Sequence, residues 1–374
     1  MIRPTSPIDS FVVKVSARCN LACKYCYEFF GYDQSWTSRP KAMTLQTACH
    51  VGKRIADHAV ANGIDTVEVL LHGGEPLLLG LNGLTSILDA ILSGASDRVD
   101  ILFGIQTNGL LLNHEILGWA EAKNVNIGVS CDGPPDIANV NRIDHQGRGS
   151  GNQLEKALLL LKGHPRFSGL LCVINPESMP SDVWSYLVQW QPPMVDFLLP
   201  HHTWQDPPPY SLSGIPIYGE WLSEIFDIWI SSGPHSITVR YLEEIIGRSM
   251  GGSGSLESLG EEPVTLLVIN VDGEYEGVDS LKASHPESWV TNMNVYADSV
   301  QDVLHNELIA LRQSGADQLA EECLKCKFRK VCGGGYLPHR YHPKRGFRSP
   351  SVFCKDIKHA IHHVQDFMAQ AADS

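Results

Sequence analysis

Three cysteines near the start of the chain, Cys19, Cys23 and Cys26, form a C-x3-C-x2-C run. The run directly follows an apolar stretch at residues 11–15. Three thiolates on one loop can ligate three irons of a four-iron cluster and leave the fourth iron open to a small molecule. Zinc motifs usually pair C-x2-C with a second ligand pair, which this spacing fits poorly. The run therefore predicts an iron–sulfur cluster with one open iron.

Four further cysteines form a second group near the end of the chain. They are Cys323, Cys326, Cys332 and Cys354. Four thiolates can saturate one iron–sulfur cluster or one zinc ion, and four cysteines alone would favour zinc. The other three cysteines stand singly in apolar contexts, which predicts core positions for Cys49, Cys131 and Cys172.

The 374-residue chain has a formal charge of −13 and a pI near 5.6. This balance argues against a nucleic-acid or anionic-membrane partner, because phosphate binding draws on basic patches. No uninterrupted apolar run reaches 18 residues, and residues 1–6 do not lead into a signal-peptide core. We therefore expect a cytoplasmic protein whose grouped cysteines bind metal rather than form disulfides.

Strand and helix patterns alternate over the first 200 residues. The predicted strands cover residues 11–15, 67–71, 101–105, 125–130, 170–174 and 195–199. The predicted helices lie between a Thr44 cap and Gly63, and at 81–92, 115–122, 154–161 and 182–190. Such alternation implies right-handed parallel βαβ units. Six of them predict an α/β fold built as a partial (β/α)6 TIM-like barrel.

Several polar motifs fall at or just after the ends of these predicted strands. They include Cys26, Glu75, Asn108 and Asp132. Because parallel α/β folds gather their ligand-binding loops at the carboxyl ends of the strands, we expect these residues at one site. Gly73 and Gly74 allow close backbone approach there, and a buried Glu75 could pair with a cation.

A glycine- and serine-rich stretch at 251–255 predicts a domain boundary, giving domains 1–250 and 251–374. Beyond it, residues 265–271 and 274–278 flank Asp272-Gly273, which predicts a β-hairpin with a type I′ turn. Apolar residues at helical spacing after Lys355 predict a closing amphipathic helix.

The first cysteine run, with Tyr25 before its last cysteine, and the Gly73-Gly74-Glu75-Pro76 segment resemble the radical S-adenosylmethionine (radical SAM) family. The resemblance implies that Cys19, Cys23 and Cys26 ligate a 4Fe-4S cluster whose open iron is chelated by SAM. In that family, reductive cleavage of SAM yields a 5′-deoxyadenosyl radical that abstracts hydrogen from a substrate. The SAM contacts that the resemblance implies are Tyr25 at adenine, Gly73, Gly74 and Glu75 at the amino group, Asn108, Ser130 and Asp132 at the ribose and methionine, and Arg142 at the carboxylate.

The second cysteine group resembles the SPASM extension of peptide-modifying radical SAM enzymes. This chain lacks the SPASM cysteines expected at Val278, at Tyr336 and within residues 257–263. All three belong to the first auxiliary cluster, whereas the four retained cysteines ligate the second. The resemblance implies a C-terminal SPASM/twitch-like extension with one auxiliary 4Fe-4S cluster, two clusters in all. It also implies that Asp279, just after the vacated Val278 position, acts as a base.

Longer strings at 72–78, 278–282 and 332–341, the last followed by 350–354, resemble the FxsB-like radical SAM/SPASM maturases. The resemblance implies a ribosomally synthesised precursor peptide as substrate and an aromatic cross-link of the cyclophane type as product. It further implies an electron donor such as flavodoxin or ferredoxin. Because the first predicted strand begins near Phe11, we expect leader recognition by the enzyme itself or by a separate protein.

Three other functions stay open. A peptide epimerase would need a thiol hydrogen donor, for which Cys131 and Cys172 are candidates. A sulfatase-maturase-like enzyme would oxidise a serine or cysteine side chain. A non-catalytic iron–sulfur or zinc module would cleave no SAM, although such a scaffold has no need of an open three-cysteine site.

Overall fold

The computed structural model describes residues 6–210, 214–232, 237–285 and 288–373; residues 1–5 of the opening segment lie outside them. The described strands are β1 (Ser10–Ser16), β2 (Thr66–Gly73), β3 (Asp100–Thr107), β4 (Val125–Ser130), β5 (Phe167–Val173), β6 (Met194–Leu198), β7 (Thr238–Val239), β8 (Leu266–Ile269), β9 (Glu274–Glu276) and β10 (Val290–Asn294).

The α-helices that the same residues form are α1 (Tyr27–Phe30), α2 (Leu45–Asn62), α3 (Gly80–Ala95), α4 (His114–Ala122), α5 (Gly151–Leu161), α6 (Pro180–Val188), α7 (Ile217–Ser231), α8 (Arg240–Ser249), α9 (Val300–Val303), α10 (Glu307–Arg312), α11 (Glu321–Leu324), α12 (Arg329–Cys332) and α13 (Cys354–Asp373). Each predicted strand and helix of the first 200 residues is present within a few residues of its expected bounds.

The chain divides into two compact units. The first unit comprises Met1–Ser130, Val140–Gly169 and Val264–Gln313. The second comprises Cys131–Asn139, Leu170–Pro263 and Ser314–Ser374. Each unit combines segments from both predicted domains, because compact units are defined by contacts and not by chain order. The domains 1–250 and 251–374 stay a prediction.

In the first unit the strand order is β10-β9-β8-β1-β2-β3-β4. Strands β1 to β4 are parallel neighbours in chain order, with Val12 opposite Leu70 and Val69 opposite Phe103. This is the pattern that βαβ units produce. Strand β8 adds in parallel to the other side of β1, and β9 and β10 continue antiparallel from it.

Helix α2 has the predicted ends. The Thr44 side chain accepts a hydrogen bond from the Thr47 N–H, and Gly63 takes a left-handed φ of +66° after the last turn. The prediction that Cys49 is a core residue is wrong, because it lies on the exposed side of this helix. Cys131 and Cys172 are buried, as predicted.

The segment Pro76–Ala95, which includes α3, is long and apolar enough to cross a membrane by length and composition. Helix α3 nevertheless packs very closely on α2. A Cβ at Gly52 would lie 1.9 Å from the Ile91 carbonyl oxygen, and one at Gly94 would lie 1.9 Å from the Cys49 carbonyl oxygen. The two glycines therefore let the backbones of α2 and α3 touch.

In the second unit β6 lies between the later residues of β5 and β7, and all three strands are parallel. Helix α7 buries Trp221, Ile225 and Trp229 and packs against the closing helix α13. A Cβ at Gly219 would lie 2.6 Å from the Asp356 carbonyl oxygen, so the glycine lets the two helices meet. The predicted closing helix is therefore confirmed.

The hairpin of β8 and β9 is present, but the predicted type I′ turn is wrong. The Gly273 N–H donates to the Asn270 carbonyl at 2.9 Å, so Val271 and Asp272 are the central residues of the turn. Neither has the positive φ that a type I′ turn requires, whereas Gly273 has a φ of +84°. The connection is a type I turn followed by a left-handed glycine.

Candidate active site

The cysteine loop, residues 19–26, connects the end of β1 to α1. All three of its cysteines are half-buried. The Leu21 N–H donates to Cys19 Sγ at 3.3 Å, and the Asn108 amide reaches the same sulfur at 3.7 Å. Burial raises the pKa of Cys19 to about 11 and that of Cys26 to about 12. The thiols are therefore protonated without metal, and metal binding must displace their protons.

Gly73 and Gly74 fit closely against the start of the cysteine loop. The Gly74 N–H donates to the Ser16 carbonyl, and a Cβ at Gly73, whose φ is +115°, would lie 2.2 Å from that same oxygen. A Cβ at Gly74 would lie 2.3 Å from the Arg18 carbonyl oxygen. These glycines are required because two backbone segments meet here. Their predicted contact with SAM stays a prediction.

Glu75 is buried at the centre of this arrangement. Its Oε1 accepts hydrogen bonds from the Leu77 N–H at 3.0 Å and the Thr107 hydroxyl at 2.7 Å. Its Oε2 accepts from the Asn108 N–H at 2.8 Å. Burial raises the pKa of Glu75, although these donors and Arg142 oppose the rise. The carboxylate ties the β2 loop to the end of β3, and its predicted pairing with the SAM amino group is compatible with this role.

Asn108 links the end of β3 to the cysteine loop. Its Nδ2 donates to the Asn20 side-chain oxygen at 2.7 Å, and its Oδ1 accepts from the Leu110 N–H. Ser130, at the end of β4, accepts a hydrogen bond from the Gln106 side chain at 3.1 Å. The amide of Asn108 thus faces the cysteines, and the predicted ribose contacts of both residues stay predictions.

Arg142 and Tyr25 lie together. Arg142 is 5% exposed and donates to the Tyr25 hydroxyl at 3.0 Å, and its charge acts on Glu75. The first unit therefore brings Tyr25, Glu75 and Arg142 to the cysteine loop. Asp132 belongs to the second unit, where it is buried and accepts from the Val173 N–H at 3.1 Å.

The first unit contains a second polar assembly that the sequence patterns did not reveal, and we name it the buried ion-pair network. Its members are Lys14, Lys282, Glu28, Asp33, Glu276 and Asp279. The Lys14 ammonium lies 2.8 Å from both Glu28 and Glu276 and 3.7 Å from Asp279. The one sequence signal for this network was Lys14, a charged residue within the otherwise apolar strand β1.

Lys282 is the second cation of the network. It is 1% exposed and lies 3.1 Å from Glu28, 3.1 Å from Asp33 and 3.3 Å from Glu276. Buried charges are tolerated only when they are paired and hydrogen-bonded. The two lysines therefore hold four carboxylates next to the hairpin of β8 and β9.

Asp279 begins a 3₁₀ turn directly after Val278. Its Oδ2 accepts a hydrogen bond from the hydroxyl of Tyr27, the residue next to Cys26, at 3.1 Å. Burial alone would raise the pKa of Asp279, but the charges of Lys14, His72 and Lys282 and the Tyr27 hydrogen bond lower it to about 2. The carboxylate is thus ionised near neutral pH and is a weak base.

The C-terminal cysteine set consists of Cys323, Cys326, Cys332 and Cys354, which line one cavity in the second unit. Burial raises the pKa of Cys332 to about 12. A Cβ at Gly333, whose φ is +59°, would lie 1.6 Å from the Gly260 carbonyl oxygen, so this turn needs glycine. Among the described residues, no three Cys, His, Asp or Glu side chains converge closely enough to hold a single metal ion.

Residues 13–183 match the family model described as the radical SAM superfamily. The match contains the cysteine loop, Glu75, Asn108 and Arg142, which the first unit brings together. This part of the chain is a radical SAM domain. The protein is accordingly an enzyme that contains a radical SAM domain, as predicted.

The radical SAM domain and the remainder of the chain together resemble sulfatase-maturating enzymes. A cysteine-type anaerobic sulfatase-maturating enzyme of Clostridium perfringens is 24% identical over 94% of this chain and 95% of its own length. A serine-type anaerobic sulfatase-maturating enzyme of Bacteroides thetaiotaomicron is 23% identical over 97% of this chain and 90% of its own.

Solved structures give the same result for the fold. "Native anSMEcpe with bound AdoMet" matches with a TM-score of 0.82 at 22% identity, over 97% of this chain and 99% of that chain. "Native anSMEcpe with bound AdoMet and Cp18Cys peptide" matches with a TM-score of 0.81 at 21% identity. The predicted fold class, an α/β radical SAM domain with a C-terminal extension, is confirmed.

Proposed function

We propose that this radical SAM enzyme oxidises a cysteine or serine side chain of a peptide substrate. The observation that supports the proposal most strongly is the position of Asp279, hydrogen-bonded to the residue that follows Cys26. The similarity to sulfatase-maturating enzymes over nearly the full length of both chains agrees with it. The cyclophane-type cross-link expected from the longer strings has no comparable support and becomes the second candidate.

The residues of the cysteine loop fit a 4Fe-4S cluster that binds SAM. Cys19, Cys23 and Cys26 supply three thiolates, and the Leu21 and Asn108 donors at Cys19 are of the kind that stabilise a ligating sulfur. When bound, the cluster and SAM supply one-electron reductive cleavage of SAM and abstraction of a hydrogen atom. Arg142 and Glu75 offer opposite charges for the carboxylate and amino groups of SAM.

Oxidation removes two hydrogens from the substrate side chain as one hydrogen atom, one proton and one electron. A serine CH₂–OH then becomes an aldehyde. A cysteine CH₂–SH becomes a thioaldehyde, which water converts to an aldehyde with release of hydrogen sulfide. Asp279 is the proposed proton acceptor. A carboxylate whose pKa is about 2 can take the proton as the electron leaves the substrate radical, because the protonated aldehyde or thioaldehyde formed then is strongly acidic. Asp279 then passes the proton on.

The C-terminal cysteine set fits one fully ligated auxiliary 4Fe-4S cluster better than a zinc ion. In a zinc site the sulfurs lie about 2.3 Å from one ion and so crowd together. The four cysteines instead surround a cavity, and no three of the described potential ligands converge on a point. The cluster would receive the electron that leaves the substrate.

Peptide epimerisation has less support. It needs a thiol that can reach the α-carbon of the peptide, yet Cys131 and Cys172 are 0% and 1% exposed. Cross-linking keeps its place as second candidate for one reason. Lys282, from one of the strings that resemble FxsB-like maturases, has a defined position in the buried ion-pair network.

The test uses reduced enzyme, SAM and two peptide families. One is the Cp18Cys peptide with its cysteine kept or replaced by serine or alanine, and the other is the product of the nearest small open reading frame. We expect 5′-deoxyadenosine and a peptide aldehyde that a hydrazide probe captures, with none from the alanine peptide. Asp279→Asn should cut aldehyde formation and keep SAM cleavage.

Two outcomes decide against the proposal. A product that has lost two hydrogens, does not react with hydrazide and yields a linked residue pair on fragmentation would establish cross-linking instead. Unchanged turnover of Asp279→Asn would remove the proposed base. Cys19→Ala serves as the control that must lose SAM cleavage altogether.

A further inference from the structure

Positive charge is concentrated around the C-terminal cysteine set. Residues 323–358 contain ten Lys and Arg side chains and one acidic residue, Asp356, in a chain whose formal charge is −13. Asp356 is buried and accepts hydrogen bonds from the N–H groups of Tyr218 and Gly219. It therefore does not offset the positive surface. This is a strong charge asymmetry within an acidic protein.

Part of this charge is already neutralised. Lys325 pairs with Glu321, and Arg329 and Lys330 both pair with Glu261. Lys327, Lys355 and Lys358 are exposed and, like Lys344, form no ion pair with any carboxylate among the described residues. We name the first three the lysine face.

The lysine face is continuous with the cysteine cavity. The Lys327 ammonium lies 4.6 Å from the centre of the Phe328 ring, and Phe328, Lys355 and Lys358 line one groove. Lys358 also lines the cavity of the C-terminal cysteine set and hydrogen-bonds the Cys354 thiol. Positive charge thus reaches from the surface to the sulfur atoms. Glu322 also lines the cavity and Asp366 the groove, but these carboxylates pair with Arg345 and His362.

We propose that the lysine face docks an acidic one-electron carrier protein. The inference rests on the proposed function, in which one electron per substrate oxidation leaves through the C-terminal cysteine set. That electron reduces the oxidised carrier by one electron. The hydrogen atom goes to the radical formed from SAM, and the proton goes to Asp279. Redox partners meet through small, short-lived interfaces, and opposite charge raises their rate of encounter. An acidic carrier fits a local positive face on an otherwise acidic protein.

The test measures binding of an acidic flavodoxin to the reconstituted enzyme at about 50 and about 300 mM salt. The higher concentration shortens the Debye length and so screens the charge attraction more strongly. The variant Lys327→Glu/Lys355→Glu leaves Lys358 and its thiol contact intact. The control Lys156→Glu/Lys162→Glu makes the same charge change at exposed positions of the first unit. We expect the variant to weaken binding about tenfold or more at low salt and to flatten its salt dependence. The control should bind as the unaltered enzyme does.

The flavodoxin affinity of Lys327→Gln/Lys355→Gln should lie between those of the Glu variant and the control. Such a graded response separates an effect of charge from one of misfolding. Equal flavodoxin affinity of the Glu variant and the control would overturn the proposal. So would a variant that keeps flavodoxin but loses affinity for the peptide substrate, because the face would then bind peptide.

Aldehyde formation with dithionite as reductant is measured on the same proteins. If aldehyde forms while flavodoxin binding is unaffected by the variant, the docking inference fails and the proposed function stands. If no aldehyde forms but the variant loses flavodoxin, the docking face stands and the proposed oxidation fails.

Discussion

The hairpin of β8 and β9 and the C-terminal cysteine set are stabilised in opposite ways. Around the hairpin, carboxylates and lysines are buried as direct pairs, with Lys14 and Lys282 each 1% exposed. Around the cysteine set, thiols face a cavity that their own contacts do not fill. Val278, just after the hairpin, is one of the three positions at which the resemblance to SPASM domains implies a missing first-cluster cysteine. The second region has the four cysteines that the same resemblance assigns to the second cluster.

The difference shows two solutions to one problem. A short hairpin or a few short helices bury too little apolar surface to be stable alone, so a strong local interaction must hold them. Buried ion pairs do this without metal but only if every charge keeps its partner. A metal cluster does it through its bonds to sulfur, and the polypeptide is incomplete without it. Four predictions test this contrast.

The largest effect is expected in the C-terminal cysteine set. Cys332→Ser should lower the free energy of unfolding by more than about 4 kcal/mol, because loss of a ligand releases a structural metal group. Anaerobic thermal unfolding of the reconstituted protein measures this. Cys49→Ser, at an exposed position outside both cysteine groups, should change stability by at most about 0.5 kcal/mol. Equal shifts for the two variants would contradict a metal group at the set.

Lys282→Met should destabilise the protein by about 3–5 kcal/mol, because Glu28, Asp33 and Glu276 would lose a buried partner. Denaturant unfolding gives the value. Lys282→Arg keeps the charge and should recover part of the loss. A neutral effect of Lys282→Met would mean that the network does not stabilise the hairpin.

Acid should weaken the hairpin region through Asp279. Its folded pKa, about 2, lies below the ordinary value of 3.8, so its ionised form stabilises the fold above pH 4 and this contribution is lost as the pH falls toward 2. Asp279→Asn should remove roughly 2 kcal/mol of that pH dependence, measured by unfolding between pH 5 and pH 2. Parallel curves for both proteins would show that Asp279 is not held ionised.

The smallest effect is expected for an exposed ion pair near the C-terminal cysteines. Lys325 and Glu321 are 73% and 77% exposed, so Lys325→Met should cost at most about 1 kcal/mol. The same unfolding experiment that is used for Lys282→Met provides the measurement. A loss as large as that of Lys282→Met would contradict the role given to burial.

The sequence predicted the alternating strands and helices because their periodicity is local. It also predicted Cys26, Glu75 and Asn108 at one site, since strand ends gather loops, whereas Tyr25 and Arg142 were added by the resemblance to the radical SAM family. It could not predict the buried ion-pair network, because Lys14 and Glu276 are 262 residues apart and meet only in the fold. The type I′ turn failed for a related reason: Asn270 accepts from Gly273, which moves the turn one residue back along the chain.

The metal content of anaerobically reconstituted protein tests the contrast between the two regions most directly. We predict about eight irons per chain and no zinc, falling to about four irons in the Cys19→Ala/Cys23→Ala/Cys26→Ala variant. The remaining four would belong to the C-terminal cysteine set, with none at the hairpin. About four irons together with one zinc in the unaltered protein would contradict the account.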